Sequence, residues 1–321
     1  MTRPAPRRHP PGTKTRRAGS SGTQPPPPAR DKRRIATAVL LLLLAVGLVV
    51  VALTRALGSD GDSESRTGGG ADPGIAHVHG LGVDPGDKTL YAATHFGVFR
   101  IPAQGAPTRI ADRFQDTMGF TVVGPRHFLG SGHPDPLEGK PPNLGLIEST
   151  DAGETWRDRS LSGQADFHSL QAAHGQVFGY NSTSGTLMVS SDKVTWDKRA
   201  ALPMADFAVS PAGPEVLIAT TENGPAKSAD GGRTFAIIDG APPLLFVSWP
   251  EPGALYGITP SGAVVLSPDQ GKTWQQQGSL DGRPAALTAT DATTVYAATD
   301  TGIYESTNAG KTFTPRYHIK R

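Results

Sequence analysis

The sequence predicts an all-β fold: a six-bladed β-propeller preceded by a disordered basic tail and one transmembrane helix. Three observations carry this. A string of the form S-x-D-x-G-x-T-W/F recurs at spacings of 38 to 41 residues between positions 149 and 313. Short strand signals precede each copy, and six such units fit between residues 75 and 321. Upstream, a stretch dense in arginine and proline runs into nineteen uncharged residues.

Residues 1–34 hold ten Lys/Arg, one Asp and eight Pro, a formal charge of +9. The whole chain carries +2, so removing this +9 leaves −7 for residues 35–321. A cationic, Pro-rich stretch without apolar periodicity cannot bury enough surface to offset its ordering entropy, which predicts a disordered tail. Its charge suits a topology signal, with acidic partners or anionic headgroups as the alternative.

Residues 35–53 read IATAVLLLLLAVGLVVVAL. At about 1.5 Å per residue they span a ~30 Å hydrocarbon core. Lys32, Arg33 and Arg34 flank one side, and Asp60, Asp62 and Glu64 follow on the other. The positive-inside rule then predicts a single-pass cell-membrane protein anchored through residues 35–55, with a cytoplasmic N-terminus and the remainder extracytoplasmic. A cleavable signal peptide fits less well, because its apolar core is shorter and Thr54-Arg55-Ala56 is a poor cleavage site. Residues 56–74, largely Gly, Ser and Asp, read as a flexible linker. The chain has no cysteine, which excludes thiolate nucleophiles and Cys-based zinc sites.

The propeller units follow. Second-strand signals are LYAATH (90–95), FLGSGH (128–133), VFGYNS (177–182), VLIATTE (216–222), LYGITP (255–260) and VYAATD (295–300). They combine β-branched, aromatic and small residues suited to half-buried strands. First strands are expected to begin near His77, Asp116, Asp166, Asp206, Leu245 and Ala285. Units of about forty residues match radially arranged four-stranded blades. The recurring strings are STDAGETW (149–156), SADGGRTF (228–235), SPDQGKTW (267–274), STNAGKTF (306–313) and the shortened SSDKVTW (190–196). The first unit has no such string.

This pattern resembles the Asp box of bacterial-neuraminidase-type (BNR) repeat proteins, the sialidase-like and sortilin-like propellers of the glycosyl-hydrolase-like group. The resemblance covers about residues 75–321. It implies that each box is the hairpin between the third and fourth strands of a blade, with a structural role. Ser and Asp would satisfy turn amides, and Gly would supply a positive φ.

First and second strands run antiparallel, so first-strand starts and second-strand ends share one rim around the central channel. The second-strand ends are His95, His133, Ser182, Glu222, Pro260 and Asp300. The first-strand starts give the pairs His77/His79, Asp116/Met118, Asp166/His168, Asp206/Ala208, Leu245/Val247 and Ala285/Leu287. Alternation places both members of each pair on one side of the strand. Five of nine histidines gather at this mouth, with Met118, Asp116 and Asp166. Imidazoles with a thioether and carboxylates suit copper, or zinc if Met118 is only a neighbour. Separate channel histidines bonded to water and backbone are the alternative. Residues 134–144 (PDPLEGKPPNL) exceed the linkers of other units and overhang the same mouth, as a lid or as a Pro-stiffened insertion.

For sialidases, the resemblance implies three carboxylate-binding arginines, a Tyr–Glu nucleophile pair and an Asp acid/base. Phe99-Arg100-Ile101-Pro102 matches their FRIP string. Its position just before the missing box puts Arg100 on a third strand, and Arg157, Arg159, Arg199 and Arg233 fall within or just after boxes. Sialidase activity is therefore not expected. Another exo-glycosidase would need two facing carboxylates, for which Glu222, Asp206, Asp166 and Asp300 are candidates. A scaffold that binds a peptide, protein or glycan is the third reading. The negative charge of residues 35–321 argues against nucleic acid as a partner.

Overall fold

The computed structural model describes Met1 and residues 72–319. The expected tail (1–34), membrane helix (35–55) and most of the linker (56–74) lie outside the described residues. Among the described residues, no helix is long and apolar enough to cross a membrane.

Residues 78–318 form six four-stranded antiparallel sheets, each built from four consecutive strands. Inner strands are Val78–Val83, Asp116–Gly124, Phe167–Ala173, Asp206–Val209, Phe246–Ser248 and Pro284–Ala289. Each starts within one residue of its expected position. Every inner strand neighbours the next, and that of blade 1 also neighbours that of blade 6, so the sheets close into a ring. This is the six-bladed propeller.

Apolar layers between blades hold the ring together. Between blades 1 and 2, Tyr91, Val98 and Ile110 pack with Phe120 and Phe128. Between blades 2 and 3, Leu129 and Leu146 meet Phe167, Leu170 and Val177. Phe128, Phe167 and Phe178 are fully buried. Burial of each such side chain contributes about 1.5–3 kcal/mol.

The recurring hairpins seal five of these layers. In STDAGETW, Ser149 Oγ donates to Asp151 Oδ1 (2.8 Å) and accepts from the Gly153 amide (2.8 Å). Asp151 also accepts from the Thr155 amide (2.9 Å) and hydroxyl (2.5 Å). Ala152 and Gly153 both have positive φ, 63° and 88°, which glycine accommodates at least cost. The aromatic residues Trp156, Trp196, Phe235, Trp274 and Phe313 each pack on the layer shared with the preceding blade. The shortened string works as well. The Lys193 amide takes the glycine amide's bond to Ser190 Oγ (2.8 Å), and Asp192 Oδ1 accepts from the Thr195 amide (2.7 Å).

Blade 1 has no such hairpin, and the layer between blades 6 and 1 is closed differently. Ile75, Val78, Leu90 and Phe99 pack with Tyr296 and Ile303, and Tyr317 and Ile319 cover them. Arg316 Nε donates to Pro102 O (3.3 Å) across the seam, while Arg316 Nη1 pairs with Glu305 (2.7 Å). Among the described residues, no strand is exchanged between the first and last blades.

The inner strands depart from simple alternation in one systematic way. In blade 1, Val78 pairs with Thr94 and Gly80 with Ala93, leaving His79 as an extra, bulged residue. Met118 in blade 2, His168 in blade 3 and Ala285 in blade 6 are bulged at the equivalent place. A bulge turns its residue out of the alternating pattern. In blade 3 the two members of the expected pair still meet across the bulge, His168 Nε2 lying 2.7 Å from Asp166 Oδ2.

Candidate metal centre at the channel mouth

The inner strands surround a central channel of about 820 Å³. Its wall includes three of the four bulged residues, His79, Met118 and His168, together with Asp206. The wall from blades 5 and 6 includes Phe246, Val247, Trp249 and Leu287.

Among the described residues, His79, His95 and Asp116 are the one group whose ligand atoms come close enough to share an ion, and His133 and His168 gather at Asp166. In the first, Asp116 of blade 2 meets two histidines of blade 1. His79 Nε2 stands 3.2 Å from Asp116 Oδ1, and His95 Nδ1 stands 2.9 Å from Asp116 Oδ2. One ligand atom from each of the three lies within 4.8 Å of the others. His79 and Asp116 are mostly shielded, with side-chain exposures of 20% and 16%, whereas His95 is open at 48%. His79 Nε2 and Asp116 Oδ1 are buried atoms, and neither has a hydrogen-bond partner. His77, exposed and at φ 49°, offers its carbonyl to the His95 amide (3.2 Å), and its ring stands 6.4 Å from that of His95.

In the second group, Asp166 precedes the inner strand of blade 3. His168 Nε2 lies 2.7 Å and Ser182 Oγ 3.0 Å from Asp166 Oδ2, with His133 Nε2 at 3.7 Å. Burial pushes the Asp166 carboxyl up, but the hydrogen bond and charge of His168, the charge of His133 and the Ser182 hydroxyl outweigh it. The net displacement is downward, favouring the carboxylate. His133 Nδ1 lies 2.8 Å from Pro142 O, so the 134–144 insertion folds back onto this group. A short 3₁₀ turn at Pro136–Glu138, capped by Asp135, shapes the insertion, and Leu137 projects from it at 75% exposure.

The four carboxylates considered for glycoside hydrolysis are dispersed. Asp206 alone among them lines the channel. It accepts from Ser169 Oγ (2.7 Å) and the Val247 amide (3.0 Å), yet loss of hydration raises its pKa to about 6. Asp166 is engaged as described. Glu222 is exposed, and Asp300 is exposed with Oδ1 accepting from the Arg283 amide (2.8 Å). No two of the four line the channel together. Arg100 is exposed on the third strand of blade 1, Gly97–Ile101. Arg157, Arg159 and Arg199 lie on outermost strands, and Arg233 lies in a hairpin. None of them lines the channel.

Sequence reasoning located the rim but missed three hydrogen-bond partners there: Ser182 on Asp166 and the Pro142 carbonyl on His133, each within one blade, and Ser169 on Asp206 of the next blade. Serines and carbonyls give no compositional signal. Blade alignment does place Ser182 at the rim, at the second-strand end it shares with His95 and His133, but gives no sign of its bond to Asp166.

No protein-family model matches the sequence, and no curated protein matches it by sequence. Solved structures do match in fold. A gluconolactonase from Xanthomonas campestris superposes with a TM-score of 0.60 at 13% identity, covering 74% of this chain and 87% of that one. A chain of the nidogen/laminin complex gives 0.57 at 12% identity, covering 72% and 93%. A GH74 enzyme from Niastella koreensis gives 0.56 at 15% identity, covering 75% of this chain but 45% of its own length. At these identities the likeness is one of fold.

Proposed function

We propose that this chain is a membrane-tethered, extracytoplasmic propeller of the Asp-box repeat type that binds a transition-metal ion at His79, His95 and Asp116. The observation that carries the reading is the convergence of two imidazoles and a carboxylate in which His79 Nε2 and Asp116 Oδ1 are buried, 3.2 Å apart and without hydrogen bonds. A buried donor or acceptor left unpaired costs about 1–3 kcal/mol, and a shared cation removes that cost. Two imidazoles and one carboxylate suit zinc or copper(II). Three protein ligands leave a coordination position open, and His79 lines the channel, so a small polar ligand could reach the ion from there. The uncharged run at 35–53 with its basic flank supports the tether.

Elemental analysis and calorimetric titration of the full-length chain in detergent test this reading. Zinc or copper should bind stoichiometrically, and His79→Ala or His95→Ala should abolish that binding. A wild-type chain that takes up neither ion would end the proposal.

A protein-binding scaffold is the second reading. The 134–144 insertion favours it, because Leu137 is presented to solvent beside the rim. The nidogen/laminin complex contains a propeller of this kind in a protein assembly. Leu137→Asp should abolish capture of any partner held this way without altering metal uptake.

A further inference from the structure

Asp206 opens the inner strand of blade 4 and takes no part in the group formed by His79, His95 and Asp116. Its carboxylate lines the channel, half-buried, and is held from both sides by neutral donors. Ser169 Oγ of blade 3 donates to Oδ1 (2.7 Å), and the Val247 amide of blade 5 donates to Oδ2 (3.0 Å). We infer that the channel is a binding site for a small organic cation, an ammonium group carried on an apolar body, with Asp206 as its counter-ion. This site stands apart from the metal reading, because it uses other residues and requires no ion.

The negative charge of Asp206 is not matched by the protein. Among the described residues that line the channel, Lys88 is the one Lys or Arg. It follows the far end of the blade 1 inner strand, whereas Asp206 begins its own strand at the mouth. An ion pair needs about 4 Å. At about 3.3 Å per residue, the strand Asp206–Val209 alone separates mouth from far end by roughly 10 Å. His168 stands beside Ser169 but gives its Nε2 to Asp166 (2.7 Å), and His174 Nε2 lies on the Ser210 carbonyl (2.8 Å). Loss of hydration raises the Asp206 pKa to about 6 despite the bonds from Val247 and Ser169. Each carboxylate oxygen keeps a second lone pair for a further donor. An ammonium group would supply that donor and the missing charge together.

The apolar part of the wall begins one residue from the Val247 amide. Phe246 is half-buried there and lines the channel, as do Trp249 and Leu287. Such a wall accepts the apolar body of a ligand, and an aromatic face beside a carboxylate favours a cation over a neutral group. The channel volume of about 820 Å³ lies within the range of small-molecule sites, about 300–1,000 Å³. An anionic ligand would meet a like charge at Asp206, and a neutral one would leave the carboxylate unmatched.

Calorimetric titration of the full-length chain in detergent, with a chelator present, tests the site. The probes are 2-phenylethylamine and its neutral counterpart 2-phenylethanol, at about pH 7.5, where Asp206 and the amine are both ionised. One equivalent of the amine should bind, about tenfold or more tighter than the alcohol. In the ¹⁵N spectrum the Trp249 indole resonance, assigned through Trp249→Phe, should move as the amine is added. Asp206→Asn should erase the preference, so that both probes bind alike, with far-ultraviolet circular dichroism unchanged. The comparison of the two probes on the wild type holds even if that variant does not fold. Equal binding of amine and alcohol, binding of neither up to about 10 mM, or a preference that survives Asp206→Asn overturns the inference. Amine binding that needs added zinc and is lost in His79→Ala also overturns it, because the amine is then a ligand of the ion. Failure of zinc uptake at His79, His95 and Asp116 removes the metal reading and leaves this site standing.

Discussion

His79 Nε2 and Asp116 Oδ1 approach to 3.2 Å from adjacent blades, both buried, and neither makes a hydrogen bond. Each blade alone presents half of an unfinished site, so ion binding should fasten blade 1 to blade 2. At a free metal concentration one hundred times Kd, binding contributes about 2.7 kcal/mol to stability. For a domain of this size that corresponds to roughly 5–10 °C in melting temperature. A chelator should lower the melting temperature by this amount in the wild type and by less in His79→Ala, as followed by differential scanning fluorimetry.

Asp206 predicts a pH dependence of opposite sense to most carboxylates. Loss of hydration raises its pKa to about 6, above its ordinary 3.8, against the hydrogen bonds from Val247 and Ser169. The folded state therefore holds this proton more tightly than the unfolded chain does. Stability falls as pH rises from about 4 through 6, and the full penalty is present above that window. Asp206→Asn, which keeps an acceptor for the Val247 amide, should stabilise the protein by on the order of 1–3 kcal/mol at pH 7.5. The gain should vanish at pH 4. Urea denaturation of both forms at the two pH values measures it.

The hairpins give a third prediction, framed by a natural variation. In the last copy Asn308 replaces the aspartate. It still accepts from Ser306 Oγ (2.9 Å) and the Thr312 amide (3.0 Å), while its amide nitrogen donates to the Thr312 hydroxyl (2.8 Å). Asp151→Asn should then cost under about 1 kcal/mol at neutral pH. Asp151→Ala forfeits three hydrogen bonds and should cost about 1.5–3 kcal/mol. The Thr155 hydroxyl and amide, with Ser149, outweigh burial and hold the Asp151 pKa near 2. Its stabilisation is complete above the ordinary 3.8 and lost as pH falls through about 2. Acid unfolding of the Asn variant should lack that contribution.

Phe128 supplies a fourth. Fully buried, it stacks edge-on against Tyr91 (4.8 Å) and Phe120 (5.4 Å) in the layer between blades 1 and 2. Phe128→Ala should cost about 3–5 kcal/mol. Because Asp116 opens the strand that carries Phe120, metal affinity should fall as well. Guanidinium melts and zinc titration of the variant check both effects.

Much of this architecture was legible in the sequence because propeller blades repeat their chemistry. The Ser–Asp–Gly–Thr spacing fixes each hairpin through side-chain bonds to its own backbone, so the strings mark blade boundaries without tertiary information. Inner-strand starts such as Asp116 and Asp206 followed by counting outward from them. The bulges at His79, Met118, His168 and Ala285 were not legible. A strand with one extra residue has the same composition as one without, and only the pairing partner reveals it. Of the eight rim residues expected to gather there, His79, His95 and Asp116 come close enough to share an ion, and that closeness depends on blade packing that composition does not record. Ser169, the Pro142 carbonyl and the bond of Ser182 to Asp166 were invisible because these roles depend on which residue stands opposite.

The seam between blades 6 and 1 has an engineering corollary. Ile75 and Ile319 share one apolar cluster there, and among the described residues no strand crosses from the last blade into the first. Entry to and exit from the ring thus lie at the same junction, and every other junction is joined by one exposed crossing of the chain. Circular permutants that splice residue 319 to residue 75 through a short linker, and reopen the ring at another blade boundary, should fold to the same propeller. Such permutants would move the chain ends around the ring while leaving the histidine mouth intact.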